Sequence, residues 1–248
     1  VRAGTLHAAV LRSPHAHARL LAVRSDKAMA LPGVRAVLTA ADVQRWSKPF
    51  IVGVKAPMEL WALAVDKVRY VGEPVAVVVA QSRYIAEDAL ELLEADYESL
   101  PPVTDIRAAI AEGAPVLHEK VGSNVVSDRS FRYGNPEQAF ASAPHRVALT
   151  VEYPRNSCTP IECAVVVAEF LCEDDGYDVQ SNFMGPFSLH TVMAMALKVP
   201  GNKLRHRTFP DSGGSFGVKQ AVLNPAVLMC LAARKVGAPV KWVEDRLE

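Results

Sequence analysis

The sequence predicts a mixed α/β fold of the α+β kind, and three observations carry that expectation. Val75 to Ala80 is an unbroken apolar run with four valines, the length and composition of a strand covered on both faces. Beyond Ser82, Ile85, Ala89, Leu92 and Leu93 recur at helical spacing on one face. Near the other end, a helical run from Gln220 to Lys235 stops at Gly237, and a strand-like run follows from Pro239 to Val243.

In chain order, Thr5 to Leu11 is a short apolar run broken by Ser13-Pro14. Pro32-Gly33 is a turn signal, Val34 to Leu38 a short strand, and Ala41 to Arg45 a helical turn. Ser82 is placed to cap the helix after the valine run, with Glu87, Asp88, Glu91 and Glu94 off its apolar face. A return strand through Ala95 to Tyr97 leads to Pro101-Pro102, which ends that unit. Residues 111–135 lose periodicity and gain Gly, Ser and Asn, so a linker or boundary is expected there, dividing the chain into 1–115 and 116–248. Val147, Leu149, Val151 and Tyr153 alternate with polar or small residues, which predicts a strand half-buried on one face. Ile161 to Leu171 is a further apolar run. Leu189, Val192, Met193, Ala196 and Leu197 mark a second amphipathic helix, ended by Pro200-Gly201.

Bulk properties narrow the function. The chain has 248 residues, half of them hydrophobic, with 27 Lys plus Arg and 27 Asp plus Glu. A core of useful size is available, and zero formal charge argues against bulk nucleic-acid binding, which needs excess positive charge. The cysteines are Cys158, Cys163, Cys172 and Cys230, with no Cys-x-x-Cys and no zinc-finger spacing. The expectation is free, buried thiols in a reducing, cytoplasmic compartment, with no metal or iron–sulfur centre held by this chain. No stretch reaches the roughly 20 apolar residues of a membrane span. The chain opens on Val1 with strand-like character and stops soon after Val243, so part of a longer protein, or one piece of an assembly, is expected.

The stretch Asp211-Ser212-Gly213-Gly214-Ser215-Phe216-Gly217-Val218-Lys219 carries most of the chemistry. It lies between a strand-like run (203–209) and the helical run from Gln220. Donors left free at such a junction favour an anionic ligand, and glycine lets a ligand approach the main chain. It is not a P-loop, because Val218 precedes Lys219 and Gln220 follows it. It is not a dinucleotide fingerprint either, because Ser215 stands where the second glycine belongs. An anion cradle and an ordinary strand-to-helix turn both fit.

Six segments in order decide between them. Arg12-Ser13-Pro14-His15-Ala16-His17-Ala18-Arg19, Leu31-Pro32-Gly33-Val34 with Val37 to Val43, Val71-Gly72-Glu73-Pro74-Val75-Ala76, and Ala86-Glu87-Asp88-Ala89 with Asp96 to Val103 resemble the α/β hammerhead domain of the xanthine dehydrogenase, aldehyde oxidase and aerobic carbon monoxide dehydrogenase family. Pro160-Ile161-Glu162 resembles the family's Pro-Met-Glu element, and Gly213 to Lys219 its Gly-Gly-Gly-Phe-Gly-x-Lys loop. The resemblance implies a hammerhead domain followed by the first part of a molybdopterin-binding domain, from a molybdenum hydroxylase large subunit. It implies a molybdopterin cofactor, and oxidative hydroxylation of a small molecule or oxidation of CO. It also implies partners: an iron–sulfur subunit carrying 2Fe-2S, an FAD subunit, and the remaining C-terminal part of the molybdopterin-binding region.

Carried over residue by residue, the cofactor-binding candidates are Gly213, Gly214, Ser215, Phe216 and Gly217, with Ser215 and Phe216 beside the metal's oxo ligand. Ser215 replaces the family's third glycine. Aligned on Pro186, Met184 stands where the family has a glutamine that donates to that ligand. Methionine has no hydrogen to donate, so Asn182 substitutes, or the cofactor geometry or substrate differs, or the centre is lost. The family's catalytic glutamate belongs to a Gly-x-Gly-Glu motif that this sequence does not contain. No catalytic base is assigned, and the chain alone is expected to be inactive.

Other polar residues have two readings each. His15 and His17 share a strand face but lack a third ligand, which favours a structural role over a metal pair. Glu162 either lines a substrate funnel or bonds backbone amides near Arg155. Lys203, Arg205 and Arg207 either meet a cofactor phosphate or form a charged edge that deters aggregation. Two functions stay open: part of a molybdenum hydroxylase, or a non-catalytic assembly module of the same fold.

Overall fold

Val75 to Ala80 is the centre of the N-terminal half, as its composition predicts. The computed structural model describes residues 2–50, 58–154, 158–182 and 185–246. In chain order the first elements are β1 (Leu6–Arg12), β2 (Ala18–Arg24), α1 (Asp26–Ala30), β3 (Val34–Leu38), α2 (Ala40–Trp46), β4 (Lys67–Val68), β5 (Pro74–Ala80), α3 (Arg83–Leu90) and β6 (Glu94–Ser99). After them come α4 (Ile106–Ala109), α5 (Pro136–Ser142), β7 (Val165–Leu171), β8 (Gly176–Ser181), α6 (Pro186–Ala196), β9 (Leu204–Thr208), α7 (Leu223–Val236) and β10 (Val240–Val243).

Seven strands form one mixed sheet in the order β3-β5-β1-β10-β7-β8-β9. Every residue of β5 is buried, because successive side chains of a strand point to opposite faces and both faces are covered. Val77 and Val79 pack with α7 and α6, whereas Ala76, Val78 and Ala80 pack with α1 and α3. Strand β1 divides the same way, with Ala8 and Val10 on one face and Ala9 on the other. A smaller sheet, β4-β2-β6, closes over a third apolar cluster around Ala18, Ala64, Val68 and Val75. The large sheet therefore takes strands from both sides of the boundary expected near residue 115. Parallel pairing of β1 with β10 joins the two halves.

Helix α7 is apolar all round from Ala226 to Ala233, and each of those residues is buried, as expected of a helix packed on several sides. Pro225 falls in its first turn, where the missing N–H breaks no intrahelical bond. Gly237 ends it with a left-handed φ of 64°, and its N–H donates to the Ala233 carbonyl at 2.9 Å. Ser82 caps α3 as predicted, its Oγ accepting from the Ile85 N–H at 3.3 Å.

Three expectations are corrected. Helix α7 starts at Leu223 rather than Gln220, because a 3-10 turn over Val218–Val222 comes first. The cysteines are free but not uniformly buried: Cys230 is buried, Cys163 intermediate, and Cys158 and Cys172 are exposed. The predicted strand at 147–153 does not form. Val147, Leu149, Val151 and Tyr153 are 90, 82, 75 and 84% exposed, since no described strand lies beside them to complete a ladder. Alternation marks competence for a strand, and pairing has to come from elsewhere.

Candidate functional site

The Gly-rich loop follows edge strand β9, and short contacts fix where it runs. The Phe209 N–H reaches the Ser181 carbonyl at 3.3 Å, and the Ser212 hydroxyl donates to the Phe209 carbonyl at 2.9 Å. Beyond that, one carboxylate holds the loop. Glu162 Oε2 accepts from the Gly213 N–H at 3.0 Å. Glu162 Oε1 accepts from Asn182 Nδ2 at 2.6 Å and from the Lys219 ammonium. A β-carbon on Gly213 would stand 2.9 Å from the Glu162 β-carbon, so the glycine is what allows this approach.

The charges of this hub are unequally buried. The Lys219 side chain is 2% exposed and that of Glu162 38%. A buried ammonium needs a paired anion, and among the described residues Glu162 supplies it. The Lys219 and Asn182 hydrogen bonds, then the Gly213 N–H, hold the Glu162 carboxyl down to about 2.

Asn182 is fully used. Its Nδ2 also donates to the Cys163 carbonyl at 2.8 Å, and its Oδ1 accepts from the Val165 N–H at 2.9 Å. Both amide hydrogens are therefore spent inside the chain. This overturns the expectation that Asn182 could supply the donor that methionine lacks: it ties the end of β8 to the start of β7. Met184 itself, like Arg155, lies outside the described residues.

Ser215 has a structural task that a glycine could not perform. Its Oγ accepts from the Gly217 and Lys219 N–H groups, both at 3.2 Å, capping the 3-10 turn much as serine caps a helix. Ser215→Ala is expected to cost about 1 kcal/mol of stability, read as a lowered midpoint of urea unfolding. An unchanged midpoint would mean that the cap contributes nothing.

The tip of the loop is left open. Among the described residues, the N–H groups of Gly214, Ser215 and Phe216 form no hydrogen bond within the chain. Phe216 has a left-handed φ of 49°, followed by Gly217 at 95°. This conformation is strained for a side chain with a β-carbon. The Phe216 ring is 76% exposed. Consecutive unbonded donors, approached past glycines, fit an anionic oxygen. The same loop has an inner side, where Val218 and Lys219 line a cavity of about 280 Å³ with Arg12, Tyr70, Pro160 and Trp242.

The structure thus brings Gly213 to Gly217 together with Glu162 and Asn182, and leaves the two histidines and the basic row elsewhere. His17 Nδ1 sits 2.8 Å from the Pro101 carbonyl, and the His15 ring is 4.8 Å from that of Tyr97, both structural contacts in the turn before β2. Among the described residues, no group of three or more His, Cys, Asp or Glu is placed to hold a metal ion. Arg207 forks onto Asp178 of β8 at 2.8 and 2.9 Å, and Lys203 reaches Asp174 at 3.2 Å. The basic row on β9 is therefore an ion-paired sheet edge. Lys219 was read only as part of the loop pattern. A lysine three residues after Phe216, with a glutamate directly after Pro160-Ile161 at the head of an apolar run, was the available signal for their pairing.

Comparison with known proteins gives this geometry a family. The aldehyde oxidase and xanthine dehydrogenase a/b hammerhead domain matches residues 1–101, and the molybdopterin cofactor-binding domain matches residues 117–248. The carbon monoxide dehydrogenase large chain of Hydrogenophaga pseudoflava is 36% identical over 99% of this chain and 32% of its own length. The nicotine 6-hydroxylase large subunit of Paenarthrobacter nicotinovorans is 35% identical over 99% and 30%. The crystal structure of quinoline 2-oxidoreductase from Pseudomonas putida 86 superposes with a TM-score of 0.88 at 38% identity, over 99% of this chain and 31% of that one. The chain spans about a third of the length of these relatives. Hammerhead and molybdopterin-binding matches, in that order and over nearly the whole sequence, show that the chain belongs to the xanthine dehydrogenase and aldehyde oxidase family of molybdopterin-dependent proteins.

Proposed function

We propose that this chain forms one wall of the molybdenum-cofactor site in a molybdenum hydroxylase large subunit. The observation that carries the reading is the loop tip: three successive N–H groups, at Gly214, Ser215 and Phe216, left unbonded among the described residues and held in place through Glu162. The division of the chain into 1–115 and 116–248 is part of the proposal, supported by family matches that end at 101 and resume at 117.

When bound, the molybdopterin cofactor supplies the redox chemistry, oxidative hydroxylation of a small molecule or oxidation of CO. This chain's residues position and shield. The loop N–H groups donate to an anionic oxygen of the cofactor without reorganising, because the backbone is already fixed. The Phe216 ring is a wall that excludes water beside it. Glu162 and Ser215 act through the loop, setting its path and closing its return to α7. The proton-accepting base, the 2Fe-2S and FAD electron acceptors on partner subunits, and the rest of the site lie outside these residues, so the chain by itself is inactive. Placement in the cytoplasm belongs to the same proposal.

Two measurements test it. Metal analysis of the purified native assembly is expected to find molybdenum close to stoichiometric with this chain, and a content near zero would sink the enzyme reading. Phe216→Ala in the assembled enzyme is expected to lower turnover about tenfold while leaving the thermal midpoint almost unchanged. Equal loss of both would make the loop merely structural.

A further inference from the structure

Between residues 101 and 154 no residue is buried, although the described residues on either side build three apolar clusters. Within this arm the run Val147-Ala148-Leu149-Thr150-Val151-Glu152-Tyr153 is bracketed by Pro144 and Pro154. Its apolar side chains alternate and would share one face in an extended strand. Valine, threonine and tyrosine favour that conformation. No ladder hydrogen bond engages its backbone among the described residues. An exposed backbone beside a row of exposed apolar side chains is a template for strand addition.

We propose that residues 147–153 dock as a β-strand against the polypeptide that corresponds to the two thirds of its relatives' length this chain does not span. That polypeptide is either continuous with this chain or a separate subunit. It would supply a free strand edge and an apolar layer over the Val147, Leu149, Val151 and Tyr153 face. Three observations select this occupant. The arm falls inside the molybdopterin cofactor-binding match at 117–248, so its counterpart in relatives belongs to a chain about three times as long. This chain's own described edges do not suit it: β9 carries the ion-paired Arg205 and Arg207, β6 carries Glu94, Asp96 and Glu98, the Val37 carbonyl of β3 already accepts from the Lys235 ammonium, and β4 is two residues long. A second copy of the arm would give only a two-stranded ribbon with a bare apolar face, which is marginal in water. The inference rests on the fold and the family, not on cofactor use, so a molybdenum-free assembly would leave it standing.

Amide hydrogen exchange tests it on the assembled large subunit and on the 248-residue chain. The amides of 147–153 are expected to exchange about 100-fold more slowly in the assembled subunit. Equal rates in the two would overturn the docking. Protection that appears only as the 248-residue chain dimerises would assign the surface to a second copy and overturn it too. L149D/V151D is expected to abolish assembly while the variant chain keeps its thermal midpoint, and T150V to assemble normally. A doubly substituted chain that cannot fold would place the arm in this chain's own structure, against the proposal.

Discussion

Glu162→Ala is expected to destabilise the chain by about 3 kcal/mol, the low end for breaking a buried ion pair. The cost arises at Lys219, whose side chain is 2% exposed and whose ammonium would lose its anion. Water reaches the partly exposed Glu162 and screens the pair, which keeps the figure from the high end. The Gly213 N–H and one Asn182 hydrogen would also lose their acceptor. Glu162→Ala with Lys219→Met should recover most of the loss, because the uncompensated charge is then gone. Additive losses in that cycle would mean that the two side chains do not interact. The loop should also become more open to limited proteolysis, a readout that a defect elsewhere in the core would not confine to residues 211–217.

The same carboxylate gives a pH signature. Its folded-state value of about 2 lies below the ordinary carboxylate range. Glu162 therefore contributes fully at pH values above that range, and its contribution fades as pH falls toward 2. Wild type and Glu162→Ala should thus differ most in stability near neutral pH and converge in acid. A difference that stays constant with pH would assign the effect to packing rather than charge.

Leu231→Ala is expected to cost about 3 kcal/mol and to lower the thermal midpoint by about 10 °C. Leu231 is fully buried in α7, in the cluster that also holds Val166, Val179 and Val240 of the sheet. Removing three carbons leaves a cavity that a helix packed on all sides is poorly able to close. The loop is reached through the turn at Val218–Val222 that precedes this helix, so its anchor should loosen with it. Calorimetry checks the number, and a shift below about 3 °C would mean that the site collapses readily.

Local patterns made much of the fold legible. Val75 to Ala80 announced a doubly covered strand because its side chains are apolar in both phases of the pleat. Ser82 announced a cap, Gly237 a helix end, and Pro32-Gly33 a turn, each through backbone preferences of the residue itself. Strand β2 was missed, because Arg19 and Arg24 interrupt its apolar residues and their partners, Glu98, Glu94 and Asp96, lie about 70 residues away on β6. The run at 147–153 was misread for the opposite reason: its pattern is ideal, but a strand also needs a neighbour.

The sequence by itself determined the doubly covered valine strand, the helix limits at Ser82 and Gly237, the family, and the Gly213 to Gly217 loop, because these depend on residue type and short spacing. Tertiary structure alone decided what holds that loop. Glu162 meets Gly213 and Lys219 across 51 and 57 residues of chain, and no local pattern encodes such a meeting. It also decided that Asn182 has no spare hydrogen, that Ser215 closes a 3-10 turn, and that, among the described residues, three N–H groups at the tip stay unbonded. Hydrogen bonding within a chain is settled by which groups folding brings within about 3 Å, and only the assembled sheet brings β7, β8 and the loop that close.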